Sequence, residues 1–240
     1  MGKLETDRLN EIIIGAGLSR ALCCIAELGV ADLIEAGKPQ PAAALAQATG
    51  SHAQSLYRVM RYLAAHDIFM ENEKGEFDHT PLSSVLRSDA EGSYRAGARM
   101  FYRIGVGWDG LQHTLRTGEP GFNHMFGKPI FDWVMANPEM GPILDAGMTC
   151  FHGYETPAML EAYDFSGIDV LADIGGGNGS LISAVLERYP SMRGMLVDLG
   201  HVVGRAKGNI AAKGVADRCE VREGNFFEGI PAGANTYLFR

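Results

Sequence analysis

Leu171-Ala172-Asp173-Ile174-Gly175-Gly176-Gly177-Asn178-Gly179-Ser180 is the stretch whose reading decides the fold. Val170, Leu171, Ala172 and Ile174 make a short apolar run of the kind a buried parallel strand shows. Beyond the glycines, Leu181, Ile182, Val185, Leu186 and Tyr189 fall at helical spacing. A strand therefore stops at a glycine-rich turn and a helix begins. Glycines at such a junction admit φ > 0 and let a ligand approach without meeting a Cβ, while the helix N-terminus offers unpaired N–H groups. The pattern is that of a nucleotide site.

Asp198 closes a second apolar run, Met195-Leu196-Val197, and follows the glycines by roughly twenty residues, where a carboxylate can accept both hydroxyls of an adenosine ribose. From Gly175 the spacing is G-x-G-x-G, with Ser180 where the third small residue of an NAD fingerprint belongs, and no pyrophosphate-neutralising cation stands nearby. Asp173, just before the glycines, suits a ligand that carries an amino group and net positive charge. S-adenosylmethionine meets these conditions.

Composition narrows the partners. A formal charge of −8 disfavours polyanions, since nucleic-acid binders need a basic footprint. Cys23, Cys24, Cys150 and Cys219 show neither C-x-x-C pairing nor ligand-like spacing with histidine, so no zinc site or disulfide framework is indicated and a reducing cytoplasm is expected. The apolar stretch 12–34 is interrupted by Arg20, Glu27 and Asp32, which a lipid-spanning helix would not carry without partners. Gly2 and Thr6 formally match a myristoylation pattern, but Glu5 and Asp7 surround it and no polybasic second signal is present.

Residues 9–36 are compatible with long helical packing, and Ile14, Ala16, Ala21, Cys23, Cys24 and Ala26 fill positions that a lone surface helix would make polar. Either something outside its own domain covers this segment or it is buried within one subunit. Pro41 opens a short helix, Thr49-Gly50 makes a turn, and residues 55–65 carry Leu56, Val59, Met60 and Leu63 on one face. Residues 72–75 between Ile68-Phe69-Met70 and Phe77 signal a hairpin. Helix, turn, helix and hairpin make a winged-helix pattern. Five cations against six acids over residues 36–90 argue against DNA affinity. Residues 91–162 are rich in Met, Phe, Tyr and Trp, and strands are expected at 218–222 and 235–239.

Tyr163-Asp164-Phe165-Ser166-Gly167, the glycine stretch, Val197-Asp198-Leu199 and Glu223-Gly224-Asn225-Phe226-Phe227-Glu228, in this order, resemble the S-adenosylmethionine-dependent O-methyltransferases of the caffeate, hydroxyindole and bacterial polyketide-tailoring type. The resemblance covers nearly the whole chain. It implies an α/β fold, a Rossmann-like methyltransferase sheet preceded by a mainly α winged-helix dimerisation domain, with boundaries at 1–90, 91–162 and 163–240. It implies a cofactor set of Asp173, Gly175, Gly177, Gly179, Asp198, Leu199, Asn225, Phe226, Arg240 and Met148, and an acceptor wall of Phe122, Phe131, Trp133 and Met148. Asn225 replaces a common Asp, Arg240 stands for the usual Lys, and His152 occupies the place of a small hydroxyl residue.

The family's general base is a histidine a few residues beyond the position of Arg240, so the resemblance leaves the catalytic residues of this chain unknown. It also predicts that Tyr237-Leu238-Phe239 forms an apolar open edge, as in the N-terminal two-thirds of a methyltransferase. His113, His124 and His152 show no spacing that pairs them with an orienting carboxylate. The implied reaction moves a methyl group to a hydroxyl, phenolic by expectation, of a small aromatic or polyketide-like molecule and leaves S-adenosylhomocysteine. A homodimer with no nucleic-acid or membrane partner is expected. Two other classes stay open: a catalytically incompetent cofactor-binding or regulatory subunit, and a winged-helix transcription regulator.

Overall fold

The computed structural model describes residues 3–153 and 155–239. The chain divides into two compact units, Met1–Phe151 and His152–Arg240. Gly2 and Arg240, both singled out above, lie outside the described residues.

The first unit starts with α1 (Lys3–Leu28). It stops where Gly29 turns left-handed at φ 72° and leads into a 3-10 turn, Val30–Leu33. Only the C-terminal half of α1 is covered: Cys23, Ile25 and Ala26 are buried, whereas Ile12 and Ile13 are 61% and 67% exposed. The charges of its C-terminal half, and Asp32 just beyond it, are tied down by α5 (Arg95–Ile104). Glu27 accepts from Arg99 at 2.9 Å and from Arg103, Asp32 pairs with Arg95, and Arg20 donates to the carbonyls of Phe101 and Tyr102.

Between these helices sits the expected winged helix: β1 (Gln40–Pro41), α2 (Ala42–Thr49), α3 (Ala53–Ala64), β2 (Phe69–Glu71) and β3 (Glu76–His79). Gly50, left-handed at φ 65°, ends α2. Leu56, Met60 and Leu63, at i, i+4 and i+7 of α3, are buried with Leu45, Phe69 and Phe77. The wing is antiparallel with strand order β1-β3-β2. Its turn is closed by Asn72, whose Oδ1 accepts from Lys74 N at 2.9 Å and Glu76 N at 3.0 Å. Thr80 then caps α4 (Pro81–Ser84) with a capping box.

The remainder of this unit is helical: α6 (Leu111–Thr117), α7 (Gly121–Phe126), α8 (Ile130–Ala136) and α9 (Met140–His152). Here Gly110, which ends the 3-10 turn Gly105–Gly110 ahead of α6, and Gly121, the first residue of α7, meet backbone to backbone. A Cβ on Gly121 would lie 2.6 Å from the Gly110 carbonyl oxygen, so only glycine fits at either position.

The second unit begins with α10 (Glu155–Ala162) and continues with β4 (Val170–Ile174), α11 (Ser180–Arg188), β5 (Arg193–Asp198), α12 (Gly200–Ala212), β6 (Cys219–Glu223) and β7 (Thr236–Phe239). Its sheet is parallel, in the order β6-β5-β4-β7. Leu171 and Leu196 pack with Leu181, Ile182, Val185, Leu186 and Ile210 of α11 and α12, while Ala172, Ile174, Met195 and Val197 cluster separately. Alternation along each strand thus serves two faces. The chain steps outward from β4 through β5 to β6, then returns to place β7 on the other side of β4. Ligands bind outside the carboxyl ends of the strands at such a reversal, and the glycine stretch follows β4 there. Among the described residues β7 is an outer strand, with Phe239 52% exposed.

Candidate functional site

The glycine stretch takes the conformation its composition demands. Gly175, Gly177 and Gly179 have φ values of 73°, 58° and 79°, a left-handed region costly for residues with a Cβ. The intervening Gly176 has a different reason: a Cβ there would lie 2.9 Å from both Asp173 Cγ and Leu196 Cγ. A Cβ on Gly177, by contrast, would meet nothing within 4 Å. The loop is therefore packed below and open at Gly177, which is the clearance a ligand needs.

Asp198, at the end of β5, anchors this loop. Its Oδ2 accepts from Gly177 N at 2.7 Å and its Oδ1 from Leu199 N at 2.7 Å. A carboxylate offers about four acceptor positions, so both oxygens retain capacity for ribose hydroxyls. Leu199 is the N-cap of α12. The ring of Phe226 lies 3.6 Å from where a Gly175 Cβ would stand, and Phe239 meets it edge-on with centroids 6.4 Å apart. Both rings are partly exposed. Asn225 is engaged locally: its Oδ1 accepts from Phe227 N at 3.1 Å and its Nδ2 donates to Glu228 at 2.9 Å. Phe239 is a neighbour of the site that motif reading did not select; its place follows from β7 pairing with β4, where Ile174 and Phe239 are in register.

Asp173 is 1% exposed and backs the loop from inside, beneath Gly176. Burial first, and the nearby Asp173 charge second, push the Cys219 thiol up to about 11. The structure thus sets Asp173 directly beneath the glycine backbone.

The acceptor residues named from the sequence belong to the first unit. Phe122 stacks on Phe126 with centroids 4.3 Å apart and meets Trp133 edge-on at 5.9 Å. Phe131 is 57% exposed and Met148 43%. Phe131 and Trp133 are two apart on α8, so they point to opposite sides, whereas Phe126 is i+4 from Phe122 and shares its face. Phe126 is thus the aromatic partner that the sequence reading missed, and helical spacing would have found it.

The histidines correct one expectation. His113 lies 3.4 Å from Glu119 and stacks on His124 at 4.1 Å, and His152 Nδ1 lies 2.7 Å from Glu155. Two of the three therefore do have a carboxylate partner, brought near by the turn after α6 and by the start of α10. Among the described residues no group of three or more metal-ligating side chains could hold a metal ion.

Comparison with known proteins shows the family. The O-methyltransferase domain profile matches residues 108–240, and the O-methyltransferase dimerisation domain profile matches residues 10–89. The chain belongs to the O-methyltransferase family. It is 37% identical to the mitomycin biosynthesis 6-O-methyltransferase of Streptomyces lavendulae over 98% of this chain and 68% of that protein. It is likewise 37% identical to the phenazine O-methyltransferase PhzM of Lysobacter antibioticus, over 96% of this chain and 67% of that one. The solved structure of the mitomycin 7-O-methyltransferase MmcR superposes with a TM-score of 0.90 at 36% identity, covering 99% of this chain and 70% of that chain. An O-methyltransferase from neocarzinostatin biosynthesis, solved with S-adenosylmethionine and 2-hydroxy-5-methyl naphthoic acid, superposes at 0.82 with 30% identity over 91% of this chain and 68% of that chain. The chain thus spans about two thirds of the length of these O-methyltransferases.

Proposed function

We propose that this O-methyltransferase chain binds S-adenosylmethionine at the β4–α11 glycine loop and serves methyl transfer to a hydroxyl of a small aromatic or polyketide-like acceptor. The observation that carries the reading is the loop itself: three left-handed glycines at the sheet reversal, open at Gly177 and anchored by Asp198. S-adenosylmethionine, when bound, supplies a methyl group on a positively charged sulfur. Asp198 would accept the ribose hydroxyls, Phe226 and Asn225 would border the adenine, and Gly175, Gly177, Gly179 and Leu199 would form the backbone cradle. Asp173 would act from below, with Met148 and Arg240 as further candidates. Phe122, Phe131, Trp133 and Met148 are our candidates for the acceptor wall. A phenol with a pKa of ~10 is largely protonated at neutral pH, so its methylation calls for a positioned base. Cancellation of sulfonium and phenoxide charge is favoured in an apolar, aromatic setting.

We assign residues 1–90 to dimerisation, 91–162 to the acceptor pocket and 163–240 to the cofactor. A homodimer through α1 is supported by its exposed Leu9, Ile12, Ile13 and Ile14 and by the dimerisation-domain match. By length and composition alone Glu5–Leu28 could cross a bilayer. Arg20 and Glu27 instead face α5, which favours a protein partner. The four cysteines are unpaired by disulfides, in keeping with a cytoplasmic enzyme. Calorimetric titration with S-adenosylhomocysteine tests the cofactor reading. Saturable one-to-one heat is expected, and no heat from a folded protein would overturn it.

A further inference from the structure

A loop with glycine at three left-handed positions loses much conformational entropy on ordering, so whatever pins it decides how well it is preformed for a ligand. Several of its pins come from its own backbone or from the neighbouring strand β5: Gly175 N donates to Val197 O at 2.8 Å, Gly177 N to Asp198, and Gly179 N to Gly176 O at 3.0 Å. Asn178 closes its own turn, its Oδ1 accepting from Ser180 N at 3.1 Å and Ser180 Oγ at 2.7 Å. Further contacts come from near the far end of α12, besides those of Leu196 and Phe226. Ile210 lies against Gly179, where a Cβ would stand 2.9 Å from its Cγ1, and Asn209 Nδ2 donates to the Asn178 carbonyl at 3.1 Å across 31 residues.

We propose that Asn209 is a positioning residue of the cofactor site: its side-chain amide holds the Asn178 carbonyl on the α12 side and thereby fixes the Asn178–Gly179 peptide plane in the glycine loop. This rests on the cofactor reading of that loop. Next to glycine a peptide plane can rotate with little steric resistance. A rotated Asn178–Gly179 plane would carry the carbonyl away from α12 and turn the Gly179 N–H off Gly176. Ile210 supplies the surface against which the loop rests but, being apolar, cannot select the orientation of the plane. Asn209 is exposed, so in its absence water satisfies the carbonyl and folding is little affected. Water does not fix a direction, and the loss falls on loop order and on the ligand that needs it.

The full chain is compared with Asn209→Ala and Asn209→Gln, the latter retaining the donor. Hydrogen exchange across residues 175–182 is read without ligand, and affinity for S-adenosylhomocysteine by calorimetry. For Asn209→Ala, a melting temperature within about 2 °C of wild type, faster loop exchange and affinity weakened about three- to tenfold are expected, with Asn209→Gln recovering most of both. Wild-type loop exchange in Asn209→Ala, or equal losses in the two variants, overturns the positioning role. Absence of heat from the folded wild type overturns the cofactor reading itself and the role with it. Wild-type binding combined with unchanged exchange removes Asn209 alone.

Discussion

Replacing Asp198 by alanine separates two tasks that one carboxylate performs. On the protein side it accepts from Gly177 N and Leu199 N, both at 2.7 Å. On the ligand side it retains lone pairs for the ribose. Hydrogen bonds to a charged group contribute about 1.5–3 kcal/mol each, and the side chain is only half-buried, so water recovers part of that in the variant. One such bond lost from the bound state corresponds to a ten- to hundredfold weaker affinity, about 1.4–2.7 kcal/mol. Loss of the anchor at Gly177, and of an anion beside the N-terminus of α12, should also lower stability by about 1–2 kcal/mol. Asp198→Asn keeps one oxygen for Gly177 while losing the charge and should fall between. The assay is titration with S-adenosylhomocysteine alongside thermal melting. If folded Asp198→Ala binds within twofold of wild type, Asp198 is not part of the site and the ribose assignment falls.

Gly179→Ala should be worse for folding than for chemistry, since left-handed strain of about 1 kcal/mol adds to overpacking of about 1–3 kcal/mol against Ile210; a melting temperature equal to wild type would refute the packing argument. Ile12→Glu with Ile13→Glu should convert a dimer into monomers by light scattering. Both residues are exposed, unlike Leu22, which packs on the unit's own core; unchanged mass would rule out α1 as the interface. Burial of Glu27 works against its charge, but Arg99 and Arg103 outweigh that and hold its pKa below the ordinary glutamate value. A depressed pKa gives stability that is present above the unfolded value of ~4.3 and is lost as pH falls through the folded one. Glu27→Gln should therefore lower the melting temperature at pH 7, with the gap to wild type narrowing below pH 4; a constant gap would show that the ion pair is not its source.

The parts of this protein that were legible in its sequence are those written within a few neighbouring residues. Glycine is the residue for left-handed backbone, so Gly175, Gly177 and Gly179 announced a loop. Asn72 and Gly75 announced the wing, and the spacing of Leu56, Met60 and Leu63 gave α3 its buried face. What was not legible depends on residues far apart in the chain. Asp173 stands out by its place in the motif, while its burial beneath Gly176 emerges only in the folded sheet. Ile12 and Leu22 look alike in composition and differ because Leu22 packs on the core of the first unit while Ile12 stays exposed. The Asn209–Asn178 bond joins two ordinary polar residues, and nothing about either marks the other until α12 packs beside α11.

The meeting of Gly110 and Gly121 has a bearing on how such an enzyme can change. Because the start of α7 is seated on the residue before α6 by two backbones in contact, that placement owes little to the identity of the side chains that project from the two helices. Phe122, Phe126, Leu115 and Met125 can then be exchanged in evolution or in the laboratory while the two helices keep their course. The two glycines themselves are the positions where such exchange is forbidden. A library that randomises the aromatic residues and holds Gly110 and Gly121 fixed should retain far more folded members than one that lets either glycine vary.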